Sequence, residues 1–148
     1  MFLSVFDMFK IGIGPSSSHT MGPMVAAKRF LQNLKNSPFN FSGVRVTLYG
    51  SLAFTGKGHA TDRAVILGLA GYSPENYDHN ACEKTLHEIS AENFIKSDDL
   101  GKLSFSPQKD LKFDYGPPLD GHPNGLIFMG LDDRGDILLQ ETYYSIGG

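Results

Sequence analysis

The sequence predicts an α+β fold in which helices pack against one mixed or antiparallel sheet. Three observations carry that expectation. In the first half, apolar residues recur at three- and four-residue spacing, the period of a helix face. The second half is made of short apolar segments punctuated by Gly, Pro and Asp, the pattern of strands and turns. Nowhere do strands and helices alternate in regular βαβ units, so the helices segregate to one side of a sheet rather than wrapping both.

The elements follow in order along the chain. Met24, Ala27, Phe30, Leu31 and Leu34 form one helix face, and the helix begins inside the preceding stretch "GIGPSSSHTMGP", residues 12–23. "SPFNFSG" breaks that period, after which "VRVTLYGS" alternates Val44, Val46 and Leu48 inward with Arg45, Thr47 and Tyr49 outward, a half-buried strand. Beyond a glycine-punctuated turn, "TGKGHATD", the run "RAVILGLAG" is too apolar for a surface helix. It reads as a buried helix from Thr61 to Ala70 with Gly71 just past its end. "PENYDHNACEKTLHEISAEN" sets Cys82, Leu86 and Ile89 at helical spacing amid charge, which makes a more exposed helix. "KLSFSP", "LKFDYG", "GLIFMGLDD" and "DILLQETYYS" read as strands, with "DDRGD" as the hairpin turn between the last two. There is no internal repeat, low-complexity tract or linker, so residues 1–148 read as one domain.

Composition narrows the function classes. A chain of 148 residues, 41% hydrophobic and 20% charged, is expected to be one soluble globular unit with a single core. Its net charge of -3, with Lys and Arg scattered, provides no footprint for a phosphate backbone, so no nucleic-acid partner is expected. No apolar run approaches the roughly 20 residues that span a bilayer. "MFLSVFDMFKIGIG" lacks a basic leader region and an A-x-A cleavage site. No membrane association is expected, and the expected location is cytoplasmic. The single cysteine, Cys82, cannot form an internal disulfide, and alone it cannot build a zinc site or hold an iron–sulfur cluster.

Four blocks carry candidate chemistry, and each has a bland reading beside a functional one. In "GIGPSSSHTMGP", Ser18 or Thr20 caps the following helix with Pro23 in its first turn. Alternatively, Ser16, Ser17, Ser18 and Thr20, with His19 beside them, form an anion-gripping loop of N–H and O–H donors at a helix start. In "GKGHATD", Thr61 or Asp62 is the obvious cap. His59 also stands there, at the mouth of a helix whose positive end favours a neutral imidazole, a form that serves as a base. "DGHPNG" is by default a turn into the next strand. Yet His122 supplies a titratable group and Asn124 an amide able to orient a substrate. In "YYSIGG", Tyr143 and Tyr144 read as strand packing, with Ser145 at the strand end. The bare Gly147-Gly148 end looks truncated. His79, in a loop, and His87, on a charged helix face, read as surface.

Together, "SVFDMFKIGIGPSSSHTMGP", "YGSLAFTGKGHATDRAVILGLAG", "HPNG" and "ETYYSIGG" resemble the iron–sulfur-dependent L-serine dehydratases, also called L-serine ammonia-lyases or L-serine deaminases. The resemblance runs in register over nearly the whole chain and is thinnest between Ser73 and Pro118. It implies that this is the family's N-terminal, or beta, domain. That domain's fold resembles the allosteric substrate-binding domain of D-3-phosphoglycerate dehydrogenase. The larger helical catalytic domain, whose cysteines bind a [4Fe-4S] cluster, is then missing from this chain, and Cys82 matches none of the cluster ligands.

The implied reaction converts L-serine to pyruvate and ammonia. On that resemblance, Ser16, Ser17, Ser18 and Thr20 grip the substrate carboxylate, and His19 and His59 lead the proton transfers. His122, Asn124, Tyr143 and Ser145 complete the wall facing the cluster. The expected partners are L-serine, the cluster-binding domain and, through pairing of sheet edges, a second copy in a homodimer. This fragment by itself is expected to bind no cluster and deaminate no serine. Two other functions compete: a regulatory serine-binding module, and a phosphate- or nucleotide-binding domain built on the Ser/Gly loop. The second is weakened by the missing Gly-Lys-Ser/Thr ending and the absence of G-x-G-x-x-G.

Overall fold

The structure is a computed structural model that describes residues 20–56 and 60–145. It contains four α-helices and one six-stranded sheet among those residues: α1 (Met21–Lys35), β1 (Gly43–Tyr49), α2 (Ser51–Gly56), α3 (Thr61–Leu69), α4 (His79–Glu92), β2 (Phe94–Ser97), β3 (Gly101–Ser104), β4 (Leu111–Asp114), β5 (Gly125–Leu131) and β6 (Ile137–Tyr144). The strand order is β2-β3-β1-β5-β6, with β4 also pairing β1. β1 pairs antiparallel with β5 and parallel with β3 and β4. The architecture is thus α+β on a mixed sheet.

The apolar period of α1 buries Met24, Ala27, Phe30, Leu31 and Leu34. Phe30 stacks on Phe128 of β5 with ring centroids 5.2 Å apart. Each fully buried side chain of this size stabilises the fold by about 1.5–3 kcal/mol. Leu34 and Phe41 lie so close over Gly130 that a Cβ there would sit within 2.8 Å of both. Since Phe30 meets Phe128 and Leu34 meets Gly130, α1 runs in the direction of β5. It therefore starts at the end of the sheet where β5 begins and β6 stops. α3 lies directly on α1, for a Cβ at Gly68 would stand 2.3 Å from the Met24 carbonyl oxygen.

Other sequence expectations meet the coordinates with instructive differences. Val44, Val46 and Leu48 are buried as alternation requires, but Thr47 is buried too, because it sits mid-strand between Lys112 and Ile127 and both neighbours shield it. The helix beginning at Thr61 is not capped by Thr61 or Asp62. Ala60 takes the cap position in a left-handed conformation (φ 80°) with no side-chain cap, and Thr61 is the first helical residue. Asp62 instead accepts from the neighbouring Arg63 N–H at 2.8 Å. Thr20 occupies the α1 cap position, where its carbonyl accepts from Met24 N and its side chain makes no cap bond.

Two elements are absent from the sequence reading. α2 is six residues long and β2 only four, with Ile95 as its one buried side chain. Such short segments show no period of their own and owe their form to neighbours. α4 is entered by a side-chain cap, Asp78 accepting from Ala81 N at 2.9 Å, and left through Asn93 in the left-handed region (φ 59°), from which β2 departs at once.

Candidate functional site

Close backbone approach brings three of the sequence blocks together. Gly50, the residue just past β1, has φ 57°, and a Cβ there would fall 2.4 Å from the Pro123 carbonyl oxygen, so glycine is required. The next residue, Ser51, donates its N–H to that same carbonyl at 2.6 Å. The "YGSLAF" block is thereby pinned to "HPNG". On the other side, Ser145 N donates to the Asn124 carbonyl at 2.9 Å, and Gly125 pairs with Tyr144 in the β5–β6 ladder. "HPNG" thus lies between the end of β1 and the end of β6.

The turn itself is built from residues that tolerate positive φ. Asp120 (φ 49°) and Gly121 (φ 74°) are both left-handed, and His122 N donates to the Leu119 carbonyl at 2.9 Å. His122 Nδ1 accepts from the Asn124 backbone N–H at 3.2 Å. With Nδ1 accepting, the neutral ring carries its proton on Nε2 and presents that N–H as a donor. The ring also packs against Tyr144, centroids 5.1 Å apart and tilted by 51°. The Tyr144 hydroxyl donates to Asp120 Oδ2 at 2.6 Å. Burial first, then the hydrogen bond to Asp120 and its charge, push the Tyr144 phenol up to about 12, so it remains a donor across the physiological range.

Two polar atoms beside this turn are buried and have no hydrogen-bond partner among the described residues: Asn124 Oδ1 and Ser145 Oγ. Ser145 is wholly inaccessible. An unmet buried polar atom costs about 1–3 kcal/mol, a cost that a bound polar ligand relieves. Thr61 Oγ1, also buried, is unpartnered in the same way.

Tyr143 is placed elsewhere. Successive strand residues point to opposite faces, so Tyr143 turns toward α1 while Tyr144 turns away. Its hydroxyl donates to Glu141 Oε1 at 2.7 Å, and Asn33 of α1 donates to both Glu141 oxygens at 2.9 and 3.1 Å. Tyr143 is 2% exposed and its ring meets Phe128 edge-on at 5.5 Å. Burial, followed by Glu141, raises its phenol far above the usual range. Its hydroxyl does not join His122.

Of the other expected site residues, Thr20 begins α1 at the Gly125 end of the sheet. Ser16, Ser17, Ser18, His19 and His59 lie outside the described residues. His79 and His87 are exposed, His79 opening α4 rather than sitting in a loop, with its Nδ1 3.3 Å from the Tyr77 hydroxyl. Sequence reasoning passed over Asp120 and Tyr144 as turn and packing residues. Their presence inside "DGHPNG" and "YYSIGG" was the available signal, and their pairing across 24 positions was not.

Among the described residues, no three His, Cys, Asp or Glu side chains gather to hold a metal ion. Cys82 is wholly buried among Met24, Ala64 and Leu67. A [4Fe-4S] cluster takes several thiolates, so this chain's residues do not fit one. No helix among the described residues is long and apolar enough to cross a membrane. A half-open cavity of about 250 Å³ lies at the opposite edge of the sheet, lined by Tyr72, Thr85, Glu88, Glu92, Phe94 and Lys96. It contains none of the expected site residues.

Comparison with known proteins bears on these residues over nearly their whole span. The profile of the serine dehydratase beta chain family matches residues 4–148. The chain is 43% identical over 145 residues to an L-serine dehydratase of Helicobacter pylori, covering 98% of this chain and 32% of that protein. It is 42% identical over 150 residues to one of Streptomyces coelicolor, covering 100% and 33%. With L-serine dehydratase 1 of Escherichia coli it shares 40% over 149 residues, covering 99% and 32%. The chain thus spans about a third of the length of the relatives it matches.

Proposed function

Because the chain belongs to the serine dehydratase beta chain family, we propose that it is the N-terminal domain of a cytoplasmic L-serine ammonia-lyase, supplying substrate-binding and proton-transfer groups to an active site shared with the rest of the enzyme. The observation that carries this reading is the junction of His122, Asn124 and Ser145, where buried Asn124 Oδ1 and Ser145 Oγ have no partner among the described residues.

The reaction removes the α-proton and the β-hydroxyl of L-serine, leaving an aminoacrylate and water. The aminoacrylate tautomerises to an imine that water hydrolyses to pyruvate and ammonia. An α-proton so weakly acidic requires a positioned base, and the carboxylate next to it must be held. Ser16, Ser17, Ser18 and Thr20 hold that carboxylate with hydroxyl and N–H donors ahead of α1, whose positive end favours an anion. His19 and His59 move the protons. His122 offers Nε2–H as a fixed donor, and Asn124 and Ser145 direct their unmet polar atoms to the substrate's ammonium and hydroxyl. The [4Fe-4S] cluster implied by the resemblance belongs to the rest of the full-length enzyme. Among the described residues β2 and β6 end the strand order, and pairing of such edges joins two copies into a homodimer.

Asn124→Ala in the full-length enzyme tests the wall. We expect kcat/KM for serine deamination to fall about tenfold or more, the effect of losing a buried polar contact of roughly 1.4–3 kcal/mol. A value within twofold of wild type removes Asn124 from the site.

The cavity at the far edge favours a second reading, a regulatory serine site, for it places Lys96 3.6 Å from Glu92 and so offers both signs of charge to an amino acid. Lys96→Ala separates the two readings. A catalytic wall leaves the serine saturation curve unchanged, whereas a regulatory site at Lys96 shifts its half-saturation or cooperativity at constant kcat.

A further inference from the structure

We propose that Tyr144 and Asp120 form a positioning pair that holds the imidazole of His122 in place with its Nε2–H free for the ligand; the inference rests on the reading above that His122 lines the substrate wall. The turn carrying His122 opens on two successive left-handed residues, Asp120 at φ 49° and Gly121 at 74°. The 2.6 Å bond from the Tyr144 hydroxyl to Asp120 Oδ2 ties that opening to β6. A hydrogen bond of that length to a carboxylate is charge-assisted and about twice as strong as a neutral one.

The same tyrosine also braces the ring. Its aromatic face lies 5.1 Å from the His122 imidazole, so one side chain grips the turn at Asp120 and the ring two residues later. Tyr144 itself is anchored by its ladder pairing with Gly125, which ties the turn to the central sheet. The remaining freedom of the imidazole is rotation about its own bonds. The Asn124 N–H removes it by donating to Nδ1 at 3.2 Å. Nε2 is then the one ring nitrogen without a partner among the described residues, and Tyr144 and Asp120 fix where it stands.

A double-mutant cycle in the full-length enzyme tests this. Tyr144→Phe keeps the ring against His122 but releases Asp120, and Asp120→Ala releases it from the other side. Each is expected to lower kcat about tenfold with KM changed less than threefold and the unfolding midpoint unchanged within about 2 °C. Asp120→Asn, whose amide oxygen still accepts the bond, is expected to retain at least a third of wild-type kcat. The pair Tyr144→Phe with His122→Ala is expected to match His122→Ala alone, because a positioning residue has nothing left to position. If His122→Ala is impaired and the two losses multiply, the positioning role is overturned while the site reading stands. If His122→Ala has wild-type kcat, the site reading fails and this inference with it.

Discussion

Tyr143 and Tyr144 are neighbours on one strand, and both donate a phenolic hydrogen bond to a carboxylate. Their surroundings are opposite. Tyr143 is sealed under α1 with Glu141 and Asn33, where its hydroxyl and the Asn33 amide both donate to the Glu141 carboxylate. Tyr144 stands at the edge of a turn beside His122, next to buried polar atoms that meet no partner among the described residues. The contrast separates two kinds of polarity: a closed network stabilises the protein, whereas unmet buried polar atoms carry a cost that the proposed ligand would relieve.

The largest effect that sharpens this contrast belongs to the two histidines proposed to transfer protons. His59→Ala or His19→Ala in the full-length enzyme is expected to lower kcat by about 10²-fold or more, the scale of losing a general base. Activity within a few-fold of wild type would take that histidine out of the mechanism.

Next come two substitutions that the contrast predicts to behave oppositely. Ser145→Ala removes an unmet buried hydroxyl, so deamination falls about tenfold while the unfolding midpoint holds or rises. Tyr143→Phe opens a closed network, so stability falls by about 1–3 kcal/mol while kcat/KM stays within about threefold. Differential scanning calorimetry and a pyruvate assay on both variants decide the matter. Destabilised Ser145→Ala at full activity would reverse the assignment.

The smallest effect is spectroscopic. Tyr144 has its folded pKa raised from 10.0 to about 12, so folding favours the protonated phenol. Its contribution to stability is complete below pH 10 and is lost as pH rises toward 12. Absorbance titration of the phenolates should show a component near pH 12 that Tyr144→Phe deletes. If that component survives in the variant, the bond to Asp120 is not what holds the proton.

Much of the fold was legible because the longer elements advertise their period. α1 and β1 bury the residues their spacing selects, down to Leu34 and Val46, α3 buries its apolar run as far as Leu69, α4 buries Cys82 and Ile89 and leaves Leu86 half-buried, and the "DDRGD" turn closes through Asp132, whose carboxylate accepts from Arg134 and Asp136. α2 and β2 were not legible, being too short to carry a pattern. The cap of α3 was misread because Thr61 has good capping chemistry, yet the apolar helix draws it inside as the first helical residue.

For the site, the amino-acid order alone marked the blocks where chemistry is expected: hydroxyls, imidazoles and amides crowded among glycines and prolines are visible without coordinates. It also determined that one cysteine cannot hold a cluster. Only the tertiary structure decided which of those groups meet. Gly50 against Pro123, and Ser145 on the Asn124 carbonyl, join segments more than 70 and 20 positions apart through backbone contacts that leave no mark in local composition. The alternation of β6 sends Tyr143 to the core and Tyr144 to His122. That choice depends on which face α1 covers, and so on long-range packing rather than on the residue type the two positions share.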